Sequence, residues 1–174
     1  TSANSINVAR WLPQQLYFFF ALQQWRGNHA PIISVPSGNF GNICAGMMAQ
    51  RSGLPIQHFI AACNANDTIP AYLSSGIMPD KPAISTISNA MDVAQPSNFI
   101  RIMEMYDNDM HWLKQQLSAT SVSDELTKQT IAETWQRHNY LTDPHGAVAL
   151  YSLQSYLSLL KENCGIFLET AHPV

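Results

Sequence analysis

Charged residues are scarce in this sequence. Lys, Arg, Asp and Glu make up 12% of its 174 residues, against about 25% in typical soluble domains. So little charge favours a surface that meets other protein, or a piece of a larger protein, and the start at Thr1 rather than Met fits a fragment or a processed product. With a net charge of −3, the sequence also lacks the basic excess of nucleic-acid-binding proteins, so we predict no nucleic-acid partner.

Long apolar runs and paired cysteines are also missing. The longest apolar run, residues 16–22 (LYFFFAL), is flanked by glutamines and is far shorter than the ~20 residues of a bilayer span. We therefore predict a buried helix there, no membrane partner and, since no signal peptide is visible, a cytoplasmic protein. Cys44, Cys63 and Cys164 form no CxxC pair and no Cys/His ligand pattern, which predicts no metal site and reduced thiols packed in the core.

Short apolar strands alternate with helices along the chain. Helices are predicted over residues 7–25, 43–51, 68–76 and 97–117, from Ser123 onward and from Pro144 through residue 160, and strands over residues 31–35, 56–62 and 165–168. Pro13 is expected to kink or start the first helix, Gly53 to end the second, and Ser97 to open the fourth. Residues 77–97, with three prolines, read as a loop.

This alternation predicts the α/β class, with a parallel sheet covered by helices on both faces in three layers. We expect residues 1–174 to form one domain. Ligands of such sheets bind where loops leave the carboxyl ends of the strands. Two loops with unusual polar residues follow predicted strands, namely residues 37–42 (SGNFGN) and residues 169–173 (ETAHP).

The first of these loops has the composition of an anion site. Gly38 and Gly41 can take positive φ and leave no side chain in the way, so that successive amides can point into one concavity. The helix that begins near Asn42 aims its positive end at the same place. The loop lacks the GK[ST] ending of a Walker motif and the first glycine of the dinucleotide fingerprint. By itself the pattern favours a phosphate site and an ordinary strand-to-helix turn equally.

Six segments, taken in order, resemble the threonine synthase family, pyridoxal-phosphate (PLP) enzymes of the tryptophan-synthase-β fold type (fold type II). They are residues 4–10 (NSINVAR), 34–56 (SVPSGNFGNICAGMMAQRSGLPI), 65–76 (ANDTIPAYLSSG), 87–99 (ISNAMDVAQPSNF), 143–149 (DPHGAVA) and 170–173 (TAHP). The resemblance covers essentially the whole chain. It implies the fold of the PLP-binding large domain, of which this chain would be a later part.

The resemblance also implies site residues. The cofactor phosphate would be cradled by Gly38, Asn39, Phe40, Gly41 and Asn42. Thr170 would face the pyridine nitrogen, where a hydroxyl donates a hydrogen bond to the uncharged ring. Substrate would be bound by Asn4, Ser5, Asn7 and Arg10. For the last two, helix capping by Asn7 and a plain surface role for Arg10 remain alternatives.

Other residues in the matching segments keep two interpretations each. His172 either lines the site or braces the turn before Pro173, and Asp92 either orients a neighbour near the site or has a structural role only. Asp143 and His145 read as a helix cap and its first turn. Glu169 departs from the family pattern, because a small residue is more usual before the threonine.

The largest departure is the missing cofactor lysine. In the family this lysine lies in an earlier segment of the form F-K-D. None of the four lysines, Lys81, Lys114, Lys128 and Lys161, stands in such a motif. The resemblance therefore implies that the N-terminal part of the enzyme is absent, that no catalytic residue can be assigned in this chain, and that the chain alone is inactive.

The implied reaction of the parent enzyme is conversion of O-phospho-L-homoserine and water to L-threonine and phosphate. Two alternatives stay open. One is another fold-type II PLP enzyme, such as a serine/threonine dehydratase or a cysteine synthase. The other is a non-catalytic phosphate-binding or interaction module, which the low charge content would suit.

Overall fold

The computed structural model of the chain describes residues 8–160 and 164–172. The described helices are α1 (Trp11–Gln24), α2 (Gly41–Arg51), α3 (Thr68–Ser75), α4 (Phe99–Met105), α5 (Met110–Gln116), α6 (Asp124–His138) and α7 (Pro144–Leu160). The described strands are β1 (Ile32–Pro36), β2 (His58–Cys63), β3 (Leu117–Ser121) and β4 (Ile166–Phe167). Two short 3-10 turns cover Val8–Arg10 and Asn89–Met91.

The strands form one parallel sheet in the order β3-β2-β1-β4. Alternate residues of β1 and β2 face opposite sides, as the strand period requires. Ile33 and Phe59 pack in the core cluster that contains residues of α1 and α2, whereas Ile32 and Ile60 pack with Leu153 of α7. The sheet therefore lies between two helical layers, and the predicted three-layer α/β class is confirmed.

Local signals set most helix ends. Ser123 caps α6, its Oγ accepting from Leu126 N at 3.3 Å. Asp143 does the same for α7, its Oδ1 accepting from His145 N at 2.8 Å, and Pro144 is the first residue of that helix. Gly53 has φ 105° just after α2, a conformation that ends helices and favours glycine. These predicted boundaries are confirmed.

The predicted helix over residues 97–117 is wrong as one element. The chain turns at Asp107 and Asn108, which have φ of 52° and 57°, so two helices form. The first begins at Phe99 rather than at Ser97, and Asp109 caps the second by accepting from His111 N and Trp112 N. The following strand β3 was not predicted, because its sequence LSATS is short and weakly apolar. Pairing with β2 is what extends it.

Helix α1 also differs from expectation. It begins at Trp11, with Pro13 in its first turn, so the proline starts the helix rather than kinking it. Of its side chains only Trp11 and Phe18 are buried, so the prediction of a buried helix is wrong for this part of the chain. Large apolar side chains on its outer side are exposed, namely Leu12 (62%), Leu16 (52%), Tyr17 (63%), Phe19 (40%) and Phe20 (57%).

Two further expectations can be compared with the described residues. Cys44 and Cys63 are free and buried, but Cys164 is exposed, so the prediction that all three lie in the core is wrong for the third. No helix within the described ranges has the length and apolar character that crossing a bilayer requires.

His58, at the start of β2, is expected to make the free energy of unfolding depend on pH. Its Nδ1 donates to Gln115 O (3.2 Å) and its Nε2 accepts from Ser118 Oγ (3.0 Å). Burial lowers the pKa of His58, and the hydrogen bond to the Gln115 carbonyl opposes this only in part. The folded state therefore favours the neutral ring, while the unfolded chain takes up a proton near pH 6.5.

Because the unfolded state binds more protons below that pH, the free energy of unfolding should fall as the pH drops from 7.5 to 5.5, by at most about 1.4 kcal/mol per pH unit. Urea unfolding at several pH values measures this slope. The slope should flatten in His58→Gln and persist in His111→Gln, which changes an exposed histidine. An unchanged slope in His58→Gln would contradict the assignment.

Candidate functional site

Strands β1 and β4 are neighbours in the sheet, and this places the two polar loops side by side. Ser34 pairs with Phe167, and Leu168 N donates to Ser34 O at 3.0 Å. Because the strands are parallel, the loops of residues 37–42 and 169–172 leave the same edge of the sheet. The sequence prediction that both stand at carboxyl ends is confirmed.

The first loop reaches this edge by a conformation that differs from the predicted one. Neither Gly38 nor Gly41 has positive φ; Phe40 does, at φ 62° and ψ 14°. The left-handed region is strained for an aromatic residue, at a cost of about 1–3 kcal/mol. The Phe40 ring is held edge-on against Phe99, with centroids 5.7 Å apart.

Gly38 is required for close approach rather than for its φ. A Cβ at this position would lie 2.6 Å from Met91 Cα and 3.1 Å from Ala90 O. Real Cβ atoms do not come so close to backbone, so a side chain at residue 38 would displace either the loop or the Asn89–Met91 turn. Gly38 therefore lets two backbone segments touch beside the candidate site.

The start of α2 offers unused hydrogen-bond donors. Ser37 N donates to Ala62 O (2.8 Å), and Cys44 N makes the first helical bond, to Phe40 O (3.0 Å). The amides of Gly41, Asn42 and Ile43 lie before that bond and have no backbone acceptor among the described residues. Phe40, at the N-cap, makes no side-chain cap. Such a helix start suits an anion such as a phosphate.

A cleft of about 660 Å³ opens beside this helix start. It is lined by Gln14, Tyr17, Asn42, Leu168, Glu169, Thr170, Ala171 and His172. Asn42 Oδ1 and Gln14 Oε1 are buried and have no hydrogen-bond partner within the part of the chain that the structure describes. Polar atoms left in this way in a cleft suit a bound polar molecule.

The structure brings some predicted site residues together and leaves others apart. Asn42 and Thr170 line one cleft, and Gly38, Asn39, Phe40 and Gly41 form the loop next to it. Arg10 is exposed in the turn before α1. The other predicted substrate residues, Asn4, Ser5 and Asn7, lie outside the described residues.

The Glu169 side chain contacts the segment that leads into α7. Its carboxylate accepts from Tyr140 Oη and from Asp143 N, the latter at 3.3 Å. Gly146 makes room for it, since a Cβ there would lie 2.6 Å from Glu169 Cγ. The hydrogen bond to this carboxylate raises the pKa of the Tyr140 hydroxyl. The departure from the family pattern at residue 169 thus has a local structural use.

Asp143 and His145 form a buried pair beside Glu169. Asp143 Oδ1 accepts from His145 N at 2.8 Å and contacts His145 Nδ1 at 2.7 Å. The cap and first-turn role predicted for them agrees with these contacts.

Arg101 is a residue that the sequence reasoning missed. Its guanidinium donates to Asn98 Oδ1 (2.9 Å) and stands 4.8 Å from the centre of the Trp11 ring. Burial raises the pKa of the Cys44 thiol to about 12, and the positive charge of Arg101 opposes this rise. A positive charge therefore lies near the first turn of α2. The three-residue spacing of Asn98, which directly precedes α4, and Arg101 in its first turn was the signal that the sequence offered.

No lysine of the described ranges lines the cleft. Lys81 forms an ion pair with Asp67 in the loop after α3. Lys114 and Lys128 lie on α5 and α6, and Lys161 lies outside the described residues.

Comparisons with known proteins agree with this architecture. The chain is 47% identical to the threonine synthase of Buchnera aphidicola subsp. Schizaphis graminum over 99% of its residues. A crystal structure of threonine synthase from Escherichia coli matches 98% of the chain with a TM-score of 0.89 and 43% identity. A PLP-bound threonine synthase from Brucella melitensis matches the same share with a TM-score of 0.85 and 32% identity.

The same comparisons set the extent of the match. The chain spans 40% of the Buchnera and E. coli proteins and 42% of the Brucella chain. A serine racemase from Dictyostelium discoideum, at 16% identity and a TM-score of 0.69, shares the fold alone. A scan against models of protein families finds no match. Over 99% of its residues the chain is thus a homologue of the threonine synthases, and it corresponds to about 40% of the length of such an enzyme.

Proposed function

We propose that this chain is the later part of the PLP-binding large domain of a threonine synthase, with residues 1–174 as one domain. The parent enzyme converts O-phospho-L-homoserine and water to L-threonine and phosphate. The observation that carries the proposal is that the start of α2, whose first amides have no backbone acceptor among the described residues, and Thr170 border the same cleft. This occurs in a chain 43–47% identical to threonine synthases.

The residues present fit a PLP cofactor. The amides of residues 38–42 and the positive end of α2 bind its phosphate, aided by the nearby charge of Arg101. The hydroxyl of Thr170 donates a hydrogen bond to the ring nitrogen and keeps it uncharged. PLP supplies the electron sink for the reaction, and these groups orient it. Substrate binding is the role of Asn4, Ser5, Asn7 and Arg10, and Arg10 binds the substrate phosphate.

The cofactor lysine belongs to the part of the enzyme that this chain does not span. That part is also the chain's partner, and the exposed apolar side of α1 is where it packs. Two observations support this surface. Leu12, Leu16 and Phe20 are each more than half exposed, and the neighbouring Tyr17 and Gln14 line the candidate cleft. Polypeptide on α1 would therefore also close the cleft and exclude water.

We further propose a cytoplasmic location. The support is the chemistry of the thiols, since Cys44 and Cys63 are buried and Cys164 is also free. Free cysteines are usual in reducing compartments.

An assay of the full-length enzyme tests the function. Incubation with O-phospho-L-homoserine should release threonine and inorganic phosphate in equal amounts, and L-serine or L-threonine should give no 2-oxo acid. Formation of 2-oxo acid from L-serine or L-threonine, with no threonine formed from O-phospho-L-homoserine, would instead support a dehydratase. A full-length protein that binds phosphate but shows no visible absorption of bound PLP would support the non-catalytic alternative.

A further inference from the structure

One segment of the chain contacts three consecutive residues of the loop that begins at Ser37, namely Gly38, Asn39 and Phe40. We call this segment, residues 84–99, the strap. Met91 lies directly against Gly38. Ser97 N and Oγ donate to Asn39 Oδ1 at 2.6 and 3.0 Å, and Asn98 Nδ2 donates to Asn39 O at 2.8 Å.

Phe40, the third of these consecutive residues, is held by an aromatic contact. The Phe40 ring packs edge-on against Phe99, at the end of the strap. Phe40 is the residue with left-handed backbone, and such strain persists only where surrounding contacts over-determine it. Without the strap, fewer contacts would hold the loop in the conformation that points the amides of α2 into the candidate site.

The strap is itself anchored by one carboxylate, that of Asp92. Its Oδ1 accepts from Thr86 Oγ1 (2.7 Å), Asn64 Nδ2 (2.9 Å) and Asn66 Nδ2 (3.1 Å). Its Oδ2 accepts from Thr86 N at 3.0 Å. Asn64 and Asn66 are buried just beyond the end of β2, so Asp92 ties the strap to the sheet.

All four donors to Asp92 are neutral groups. Hydrogen bonds to an ionised acceptor are about twice as strong as neutral ones. Asparagine at residue 92 would place its NH2 group where one carboxylate oxygen now accepts hydrogen bonds. That NH2 group would then face another donor, either Thr86 N or the donors around Oδ1. A single isosteric change should therefore loosen the strap while leaving the apolar core intact.

We propose that Asp92 is a positioning residue that, through the strap, holds the loop of residues 37–42 in its phosphate-binding conformation. This rests on the proposed function, in which that loop binds the phosphate of PLP. Asp92 itself lies outside the residues that line the cleft. Its effect should therefore appear in phosphate recognition and not in contacts to the ring.

The test compares PLP with pyridoxal, which has the same ring and no phosphate, in titrations of the full-length apoenzyme. Asp92→Asn should raise the Kd for PLP about tenfold and leave the Kd for pyridoxal unchanged. The 31P resonance of bound PLP should also shift. Asp80→Asn removes the same charge at an exposed loop position and should change neither Kd.

Equal effects on the two ligands, or no effect on either, would overturn the role of Asp92. A wild-type enzyme that binds PLP no better than pyridoxal would overturn the proposed phosphate site itself, which distinguishes the two failures. If Asp92→Asn does not fold, Thr86→Val decides the matter, since it removes one of the four donors. It should reduce the preference for PLP over pyridoxal, and an unchanged preference would count against the proposal.

Discussion

Gly38→Ala is expected to weaken PLP binding by the full-length enzyme about 100-fold, the equivalent of losing one or two hydrogen bonds to a charged group. The new Cβ would lie 2.6 Å from Met91 Cα. Backbone cannot yield as a flexible side chain can, so the loop has to move and carries its amides with it. The same overpacking should lower the free energy of unfolding by about 1–3 kcal/mol.

Gly76→Ala is the matched control for this change. Gly76 has φ 76°, and a Cβ added there would meet no other atom within 4 Å, so alanine adds backbone strain of about 1–2 kcal/mol without a clash. Its stability should fall while its Kd for PLP stays that of the wild type. PLP titration and urea unfolding of both variants separate the effects. Wild-type PLP affinity in Gly38→Ala would show that the close approach to Met91 has no role in binding.

The chain alone is expected to form no detectable threonine from O-phospho-L-homoserine. No lysine of its described ranges reaches the cleft, and the outer side of α1 that borders the cleft is exposed. Adding the rest of the enzyme as a separate polypeptide should restore activity, because under the proposed division it supplies the lysine and covers α1. Threonine production with and without that polypeptide is the measurement, and turnover by the chain alone would refute the proposed division.

Leu16→Glu tests where the two pieces meet. A charge at this exposed position should leave the chain folded but weaken its association with the added polypeptide at least about tenfold, since a buried unpaired charge is costly. Gln23→Glu adds the same charge at another exposed position of α1 and is the control. It should have little effect if the contact is confined to the apolar side. Restored activity at wild-type association strength in Leu16→Glu would place the contact elsewhere.

Most of the fold could be read from the sequence because its signals are local. The strand predicted over residues 31–35, the Ser123 cap and the Asp143-Pro144 start each depend on neighbours within a few residues, and these three predictions were confirmed. The start predicted at Ser97 was not, since that helix begins at Phe99. The placement of two polar loops at carboxyl ends followed from the strand-helix alternation. The resemblance of six segments to threonine synthases agrees with the identity and the structural match over the chain.

The features that could not be predicted from the sequence depend on distant parts of the chain. Strand β3 forms because β2 offers an open edge, not because LSATS favours a strand. The exposed side of α1 could not be foreseen, since an apolar helix looks the same whether its cover lies within the chain or beyond it.

The candidate site divides in the same way. Composition by itself determined that residues 37–42 could hold an anion, because glycines and a helix start are local features. Only the tertiary structure decided that Phe40, rather than a glycine, takes the left-handed conformation, because the contacts that stabilise it come from the strap, much later in the chain. Long-range packing can stabilise a backbone conformation that local preference disfavours, and no local pattern records this.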